Sequence, residues 1–265
     1  MRGATATNVD QRPSRANVLG VGVHAVNMER ALTVFEWAIA NDRKGYVCVT
    51  GVHGVMEAQR DHSFREILNG SLLTVPDGMP TVWVGRLEGF SDMRRVFGPD
   101  LMSEVCQKSV SNRWKHFLFG GVPGVAESLR ESLESRFPGL LVVGTFTPPF
   151  RDLSNAEQEE LQSIVSSSKP DIFWVGLSTP KQERFMAEYL GKLDTKVMVG
   201  VGAAFDLHTG RIKDAPAWMK ASGLQWLHRM YQDPRRLWKR YLKNNPEFLF
   251  RIVGQFLGAT KYQST

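Results

Sequence analysis

Short, mostly apolar runs alternate with longer amphipathic segments along the first 206 residues of the chain. The runs are rich in Val, Ile, Leu and Phe and are nearly continuous, which is typical of strands buried on both faces. They predict seven strands, at residues 18–23, 46–50, 72–75, 116–119, 140–145, 171–177 and 197–201. The clearest helical patterns between them span residues 28–40, 52–60, 122–136 and 156–167. Ser154 and Asn155 stand just before the last of these helices, as an N-terminal cap would.

This alternation predicts an α/β fold, a Rossmann-like and mostly parallel sheet with helices on both faces. The pattern changes after Asp206, because no further β-rich run follows. Tryptophans and basic residues crowd instead into helical segments interrupted by Pro216, Pro234 and Pro246. We therefore divide the chain into a flexible leader, a Rossmann-like core and a basic helical appendage, at residues 1–16, 17–209 and 210–265.

Composition and charge narrow the class of protein. Hydrophobic residues make up 42% of the 265 residues, enough for one sizeable core, and no apolar run reaches the roughly 20 residues that span a bilayer. The N-terminus lacks the apolar stretch of a secretory signal, and Cys48 and Cys106 form no short pair, so we expect a cytoplasmic protein. Residues 211–251 hold ten Lys and Arg against three acidic residues, in a chain of net charge +6. We therefore expect the appendage to meet a negatively charged partner.

Polar and glycine residues follow several predicted strands, at the edge where parallel sheets bind their ligands. The candidates in chain order are Thr50, His53, Asp77, Gly120, Gly121, Gln182 and Glu183. Asp77, held between a proline and a glycine, is either a general base or a turn residue that caps the next helix. The glycine pair offers backbone amides to a diphosphate, or forms a tight turn that needs positive φ. His53 is either catalytic or a hydrogen-bonded residue at a helix start.

The remaining charged residues point to no metal. His208 has no spaced partner and no Asp-x-Asp pair follows a strand, so we expect neither a metal nor another cofactor. The densest basic cluster comprises Arg229, Arg235, Arg236, Lys239 and Arg240. It is either a solvated helix face, a contact with anionic phospholipid, or a source of arginines that stabilise a departing diphosphate.

Four stretches, in this order, resemble the WecG/TagA/CpsF glycosyltransferases (glycosyltransferase family 26). They are Thr-Val-Pro-Asp-Gly-Met-Pro at 74–80, Arg-Val-Phe-Gly-Pro-Asp-Leu at 95–101, Val-Gly-Leu-Ser-Thr-Pro-Lys-Gln-Glu at 175–183 and Gly-Leu-Gln-Trp-Leu-His-Arg at 223–229. Asp-Pro-Arg-Arg follows at 233–236, and the resemblance extends from about residue 17 to about residue 250. The order of these modest motifs makes chance similarity improbable.

The resemblance implies an inverting, metal-independent transfer from a UDP-sugar to a polyprenyl-diphosphate-linked acceptor, in cell-surface or exopolysaccharide synthesis. It implies that Asp77 is the base. It also implies a sugar and nucleotide pocket lined by Thr50, Arg95 and Gln182. The basic residues expected to close over the site are Arg229, Arg236 and Arg240. On this hypothesis the diphosphate lies near the glycine pair, and the appendage holds the enzyme on the anionic inner leaflet.

The chain departs from the family pattern at three positions. Val52 stands where the family usually has Asn, which leaves open whether His53 replaces that contact. Asp214 stands in place of Arg, and Gln225 in place of Glu. These changes leave ManNAc, ManNAcA, glucose and glucuronic acid open as donor sugars. The rival hypotheses are a nicotinamide oxidoreductase and a nucleic-acid-binding protein; we expect no nucleic acid partner, because the core is nearly neutral.

Overall fold

The computed structural model describes residues 13–263. Within them the chain forms eight strands and twelve helices. The strands are β1 (Arg15–Val18), β2 (Val21–His24), β3 (Gly45–Thr50), β4 (Leu73–Pro76), β5 (Lys115–Gly120), β6 (Leu141–Phe146), β7 (Ile172–Gly176) and β8 (Val197–Gly200). The last six form one parallel sheet in the order β4-β3-β8-β7-β5-β6, so the predicted α/β fold class is confirmed.

Helices separate the strands and continue after the last one. They are α1 (Met28–Ala40), α2 (Val52–Arg60), α3 (His62–Gly70), α4 (Met79–Leu87), α5 (Gly98–Asn112), α6 (Val125–Arg136), α7 (Asn155–Ser168), α8 (Lys181–Tyr189), α9 (Ala204–His208), α10 (Ala217–Ala221), α11 (Gln225–Gln232) and α12 (Pro234–Phe256). The predicted cap of α7 is confirmed as a reciprocal capping box between Ser154 and Glu157. Helix α6 begins three residues later than predicted, after the positive-φ residue Gly124.

The first predicted strand is wrong, because residues 18–23 do not form one strand of the main sheet. They contribute instead to an antiparallel hairpin of β1 and β2, which pairs Val18 with Val21. The turn residues Leu19 and Gly20 both have positive φ, as two-residue hairpin turns require. The hairpin starts at Arg15, inside the leader predicted for residues 1–16; residues 1–12 of that leader lie outside the described residues.

The main sheet buries both faces, which explains the nearly continuous apolar runs. Side chains on one face join a core cluster with α1, α5 and α6, among them Val47, Leu118, Trp174 and Val199. Their strand neighbours join a second cluster with α2, α3, α7 and α8, among them Cys48, Phe117, Phe173 and Met198.

The appendage is anchored on the second of these clusters. Phe248 and Ile252 of α12 are buried there, and α12 runs beside α2, whose first turn follows the end of β3. The N-terminal half of α12, together with α11, therefore lies near the carboxyl edge of the sheet. None of the helices within residues 13–263 is both long and apolar enough to cross a bilayer.

Candidate active site

Asp77 lies where the ends of β3 and β4 meet. Its backbone N–H donates to the carbonyl oxygen of Thr50 at 3.1 Å, which holds the two strand ends together. Helix α4 starts two residues later, with Gly78 as a cap that makes no side-chain hydrogen bond. Asp77 is therefore not the capping residue of this helix, and its carboxylate is free for another role.

The carboxylate of Asp77 is partly enclosed. Its side chain is 35% exposed, yet Oδ1 is inaccessible to solvent and has no hydrogen-bond partner within the described residues. Burial raises the pKa of Asp77 above its ordinary value, while the charges of Arg95 and Arg229 and the backbone N–H of Gly98 oppose the shift. A carboxylate in this setting accepts a proton more readily than an exposed aspartate, as a general base must.

Arg95 connects the strand end with the appendage. Its Nη2 lies 4.0 Å from Oδ1 of Asp77, and its Nε donates to the backbone carbonyl of the same residue. The other side of the guanidinium donates to Oε1 of Gln225 in α11, and the group stacks 4.3 Å from the ring centroid of Phe97. Arg95 is thus fixed beside the carboxylate by contacts with two separate parts of the chain.

Two of the three departures from the family pattern touch each other at this point. Nε2 of Gln225 donates to Oδ1 of Asp214 at 3.2 Å. Lys220 pairs with the other oxygen of Asp214 at 2.7 Å. The exchange of Arg for Asp and of Glu for Gln therefore changes one local contact, next to Arg95, rather than two unrelated positions.

Thr50 also presents an unused polar atom to the crevice between β3 and β4. Its side chain is buried, and its Oγ1 has no hydrogen-bond partner within residues 13–263. Gly54 packs closely against it, since a Cβ there would lie 3.0 Å from Cγ2 of Thr50. A buried hydroxyl without a partner is costly unless a ligand satisfies it, which keeps Thr50 as a predicted substrate contact.

His53 lies in the first turn of α2 and is already hydrogen-bonded. Its Nδ1 lies 3.0 Å from Nδ2 of Asn244 in α12, and its ring also bonds to the backbone of Thr179. Burial, together with the charge of Arg240, lowers the pKa of His53 to about 4, so the ring is neutral near pH 7. The interpretation of His53 as a hydrogen-bonded residue at a helix start agrees with this geometry.

Gln182 and Glu183 are buried at the start of α8, where they brace neighbouring loops. Oε1 of Gln182 accepts from the backbone N–H of Gly202, and its Nε2 donates to Oε1 of Glu183 at 2.9 Å. Thr179 donates to the same oxygen at 2.9 Å. Burial raises the pKa of Glu183, whose Oε2 is enclosed without a partner among the described residues. Contact of either residue with substrate stays a prediction.

Gly120 and Gly121 form a tight turn at the end of β5. The N–H of Gly121 donates to the carbonyl oxygen of Gly176 at 3.2 Å. Gly120 has a φ of 130°, and a Cβ on it would lie 2.6 Å from that same oxygen. These contacts account for both glycines as packing requirements. Binding of a diphosphate by this pair stays a prediction.

The appendage brings its arginines to the same edge. Arg229 and Arg236 line a cavity of about 250 Å³ between α11 and α12. Arg236 is paired with Asp233 at 2.6 Å. By contrast, no carboxylate in residues 13–263 lies within 4.0 Å of the guanidinium of Arg229 or Arg240. Burial and the charges of Arg236 and Arg229 lower the pKa of Arg240, which marks a crowded cationic site.

Tyr241 is a site residue that the sequence did not reveal. It is half-buried in α12, and its ring packs against Trp226 at 5.6 Å between centroids. Burial raises the pKa of its phenol; the charge of Asp77 adds to this effect, and Arg229 and Arg240 oppose it. The phenol therefore lies among the residues assigned to the reaction. Its helical spacing in the sequence indicated only packing.

The described residues offer no evident metal centre. No group of three His, Cys, Asp or Glu side chains among them is arranged to hold a metal ion. His208 contacts the backbone carbonyl oxygen of Pro99 through its Nε2, at 3.0 Å.

Comparison with known proteins agrees with this site. The family model described as "Glycosyl transferase WecG/TagA/CpsF family" matches residues 16–262, nearly the whole chain. The chain belongs to this family. The glycosyltransferase family thereby takes precedence over the oxidoreductase and nucleic-acid-binding hypotheses, and the chain is an enzyme of the glycosyltransferase class.

Similar members of the WecG/TagA/CpsF family come from Gram-positive bacteria. A protein of Bacillus spizizenii is 28% identical over 219 residues, which is 82% of each chain. One of Bacillus subtilis is 28% identical over 196 residues, 74% of each chain. One of Staphylococcus aureus is 25% identical over 249 residues, 92% of this chain and 95% of its own. All three are named N-acetylglucosaminyldiphosphoundecaprenol N-acetyl-beta-D-mannosaminyltransferase.

Proposed function

We propose that this enzyme transfers a sugar from a UDP-sugar to a saccharide linked to polyprenyl diphosphate, with inversion at the anomeric carbon and without a metal. The observation that carries the proposal is the carboxylate of Asp77, whose Oδ1 is enclosed and unpartnered among the described residues beside Arg95. The named activity of the relatives supports a lipid-linked acceptor and makes N-acetylmannosamine the first donor sugar to test.

In the proposed reaction, Asp77 takes the proton from an acceptor hydroxyl as that oxygen attacks the anomeric carbon. The new glycosidic bond forms on the face opposite the nucleotide, while the bond between the anomeric carbon and the diphosphate oxygen breaks. The electron pair of that bond leaves with UDP. Inversion needs only one carboxylate, which agrees with a single enclosed aspartate at this edge of the sheet.

The departing UDP gains negative charge, which the appendage is placed to stabilise. Arg229 and Arg240 have no acidic partner within 4.0 Å among the described residues, and Arg236 lines the neighbouring cavity. Unpaired guanidinium groups in a partly enclosed site interact strongly with phosphate oxygens. They replace the role that a divalent cation has in other sugar-nucleotide transferases.

We further propose that the appendage rests on the anionic inner leaflet, where the lipid-linked acceptor is anchored. Leu227, Met230, Tyr231, Pro234 and Trp238 line an apolar groove of about 460 Å³ on α11 and α12. Basic side chains flank this groove, and Nζ of Lys239 lies 5.6 Å from the ring centroid of Trp238. An apolar face rimmed by cations is the usual pattern of a helix that lies in a membrane interface.

A donor screen tests the activity. The full chain is incubated with polyprenyl-diphosphate-GlcNAc and, separately, with UDP-ManNAc, UDP-ManNAcA, UDP-glucose and UDP-glucuronic acid, and the products are identified by mass. We expect one donor to extend the acceptor by a single sugar in the presence of EDTA. No extension with any UDP-sugar, while UDP itself fails to bind in calorimetry, would overturn the proposal.

Asp77→Asn tests the assignment of the base. Because the variant keeps the shape of the side chain but cannot take a proton, we expect turnover to fall about 10²- to 10⁴-fold with UDP binding retained. Asp92→Asn is the matched control, since that carboxylate is exposed and its contact with Arg30 spans 3.9 Å. Equal activity of the two variants would remove Asp77 as the base.

A further inference from the structure

The contact between His53 and Asn244 joins the appendage to the core beside the active site. Asn244 is buried on α12, and its side-chain amide lies 3.0 Å from Nδ1 of His53. The other ring nitrogen bonds to the backbone carbonyl of Thr179. With Nε2 carrying the hydrogen, Nδ1 accepts from the amide, and neither ring nitrogen is left for a substrate.

The position of this contact along α12 gives it a role. Asn244 follows Arg240 by four residues, one helical turn, so both side chains lie on the same face about 6 Å apart along the axis. Arg240 is close enough to His53 for its charge to act on the ring. Fixing Asn244 therefore fixes how far Arg240 reaches over the carboxyl edge of the sheet.

We infer that His53 is a positioning residue: its neutral ring holds α12 in register with the end of β3, so that Arg240 is kept over the departing diphosphate. This inference rests on the proposed function for the role of Arg240, but not for the contact itself. It also gives a use to a residue that stands next to the missing family asparagine at position 52.

A second contact between the same helices provides a comparison. Arg60 of α2 pairs with Glu247 of α12 at 2.7 Å, with both side chains 29% exposed. Ion pairs of this exposure contribute little, whereas the loss of an acceptor for an enclosed amide leaves an unsatisfied polar group. The other charged groups that face His53 are Glu57 and Arg60 on its own helix and Arg240 on α12.

Substitutions at position 53 separate the two ring nitrogens. His53→Asn places an acceptor near the position of Nδ1 and should keep most of the turnover. His53→Gln reaches only toward Thr179, and we expect it to lose about ten-fold in kcat, as should His53→Ala and Asn244→Ala, with little change in KM for the donor. Glu247→Gln, which weakens only the ion pair, should retain its kcat.

A double-mutant cycle tests the link to Arg240. If His53 acts by placing that arginine, Arg240→Ala should cost far less kcat in the His53→Ala background than in the wild type. Additive losses, or equal losses for His53→Asn and His53→Gln, would overturn the inference.

Hydrogen exchange keeps this test separate from the proposed reaction. We expect amides of α12 (Pro234–Phe256) to exchange faster in His53→Gln and Asn244→Ala than in His53→Asn and the wild type. If no UDP-sugar is turned over, the proposed function fails and the exchange data alone judge the contact. Unchanged exchange in every variant would show that His53 does not hold α12.

Discussion

Single residues at the carboxyl edge of the sheet combine packing demands with chemistry. The carboxyl group of Asp77 is partly withdrawn from water, which opposes its charged form, and Arg95 at 4.0 Å restores part of the lost stabilisation. The balance leaves a base whose pKa is raised but which is ionised at neutral pH in the proposed mechanism. Thr50, a few residues away on the adjoining strand, has a buried hydroxyl for which the described residues offer no partner. Such unsatisfied groups are typical of sites that complete their hydrogen bonds with a ligand.

The turn at Gly120 gives a prediction at the residue scale. Gly120→Ala would place its Cβ 2.6 Å from the backbone oxygen of Gly176, at a φ of 130°, so backbone must move. We expect the free energy of unfolding to fall by about 3 kcal/mol or more, measured by chemical denaturation. Gly124→Ala is the matched control, with a φ of 85° but nothing within 4 Å of its Cβ, and should cost about 1 kcal/mol. Equal losses would show that the close approach to Gly176 does not matter.

At the scale of elements, the sequence predicted those helices and strands whose own residues define them. Helices α1 and α2 have the predicted bounds, because each has a clear amphipathic pattern and follows a strand or loop directly. The hairpin of β1 and β2 was missed because the apolar run at 18–23 conceals its turn at Leu19 and Gly20. The pattern also did not assign α3, α4, α5 and α8; α4 and α5 have no side-chain cap, and both begin at a Pro-containing turn.

The same distinction separates the parts of the site. Asp77 and Thr50 could be predicted as neighbours, because ends of parallel strands meet at one edge. Gln225 and Asn244 could not, since their bonds to Arg95 and His53 span 130 and 191 residues. Their positions depend on how the appendage folds back over the core, which no local pattern encodes. The resemblance to the family supplied Arg95 and the three appendage arginines, but not Tyr241.

The groove on α11 and α12 gives a prediction at the element scale. If it rests on the membrane, the enzyme should bind vesicles of phosphatidylglycerol and phosphatidylcholine, and added salt should weaken binding. The double variant Tyr231→Ser with Trp238→Ser should bind about ten-fold more weakly in a sedimentation assay, since two aromatic side chains lose their apolar contact. Phe150→Ser is the matched control, because Phe150 is 86% exposed but lies outside the appendage. Equal loss in both proteins would contradict the assignment of the groove.

For the whole molecule, the same burial that builds two core clusters also encloses histidines far from each other. His116 is fully buried in β5 and accepts the Trp174 indole N–H through Nδ1 at 2.9 Å, and burial lowers its pKa to about 3. The pKa of His53 is lowered to about 4 by burial and by Arg240. Both rings must therefore be neutral for the native contacts to form, one within the sheet and one between the core and the appendage.

These two histidines predict how stability depends on pH. Because both folded pKa values lie below the ordinary value of 6.5, the unfolded chain binds more protons between pH 6.5 and 4, and stability falls as the pH falls through that range. Each ring should contribute a loss of about 2 kcal/mol between pH 7 and pH 5. Raised carboxyl pKa values, as at Asp77 and Glu183, act in the opposite direction, so the comparison must be made between variants. Chemical denaturation at both pH values should show a loss smaller by about 2 kcal/mol in His116→Phe than in the wild type.

The control for this comparison is His62→Ala, which removes a histidine whose side chain is 68% exposed and should leave the pH dependence of unfolding unchanged. His116→Phe will also lower stability at every pH, because the indole of Trp174 loses its acceptor, but that loss does not vary with proton binding. The slope with pH, rather than the stability itself, therefore carries the test. If His116→Phe and His62→Ala give the same slope as the wild type, protonation of the buried ring does not limit the stability of the sheet in acid.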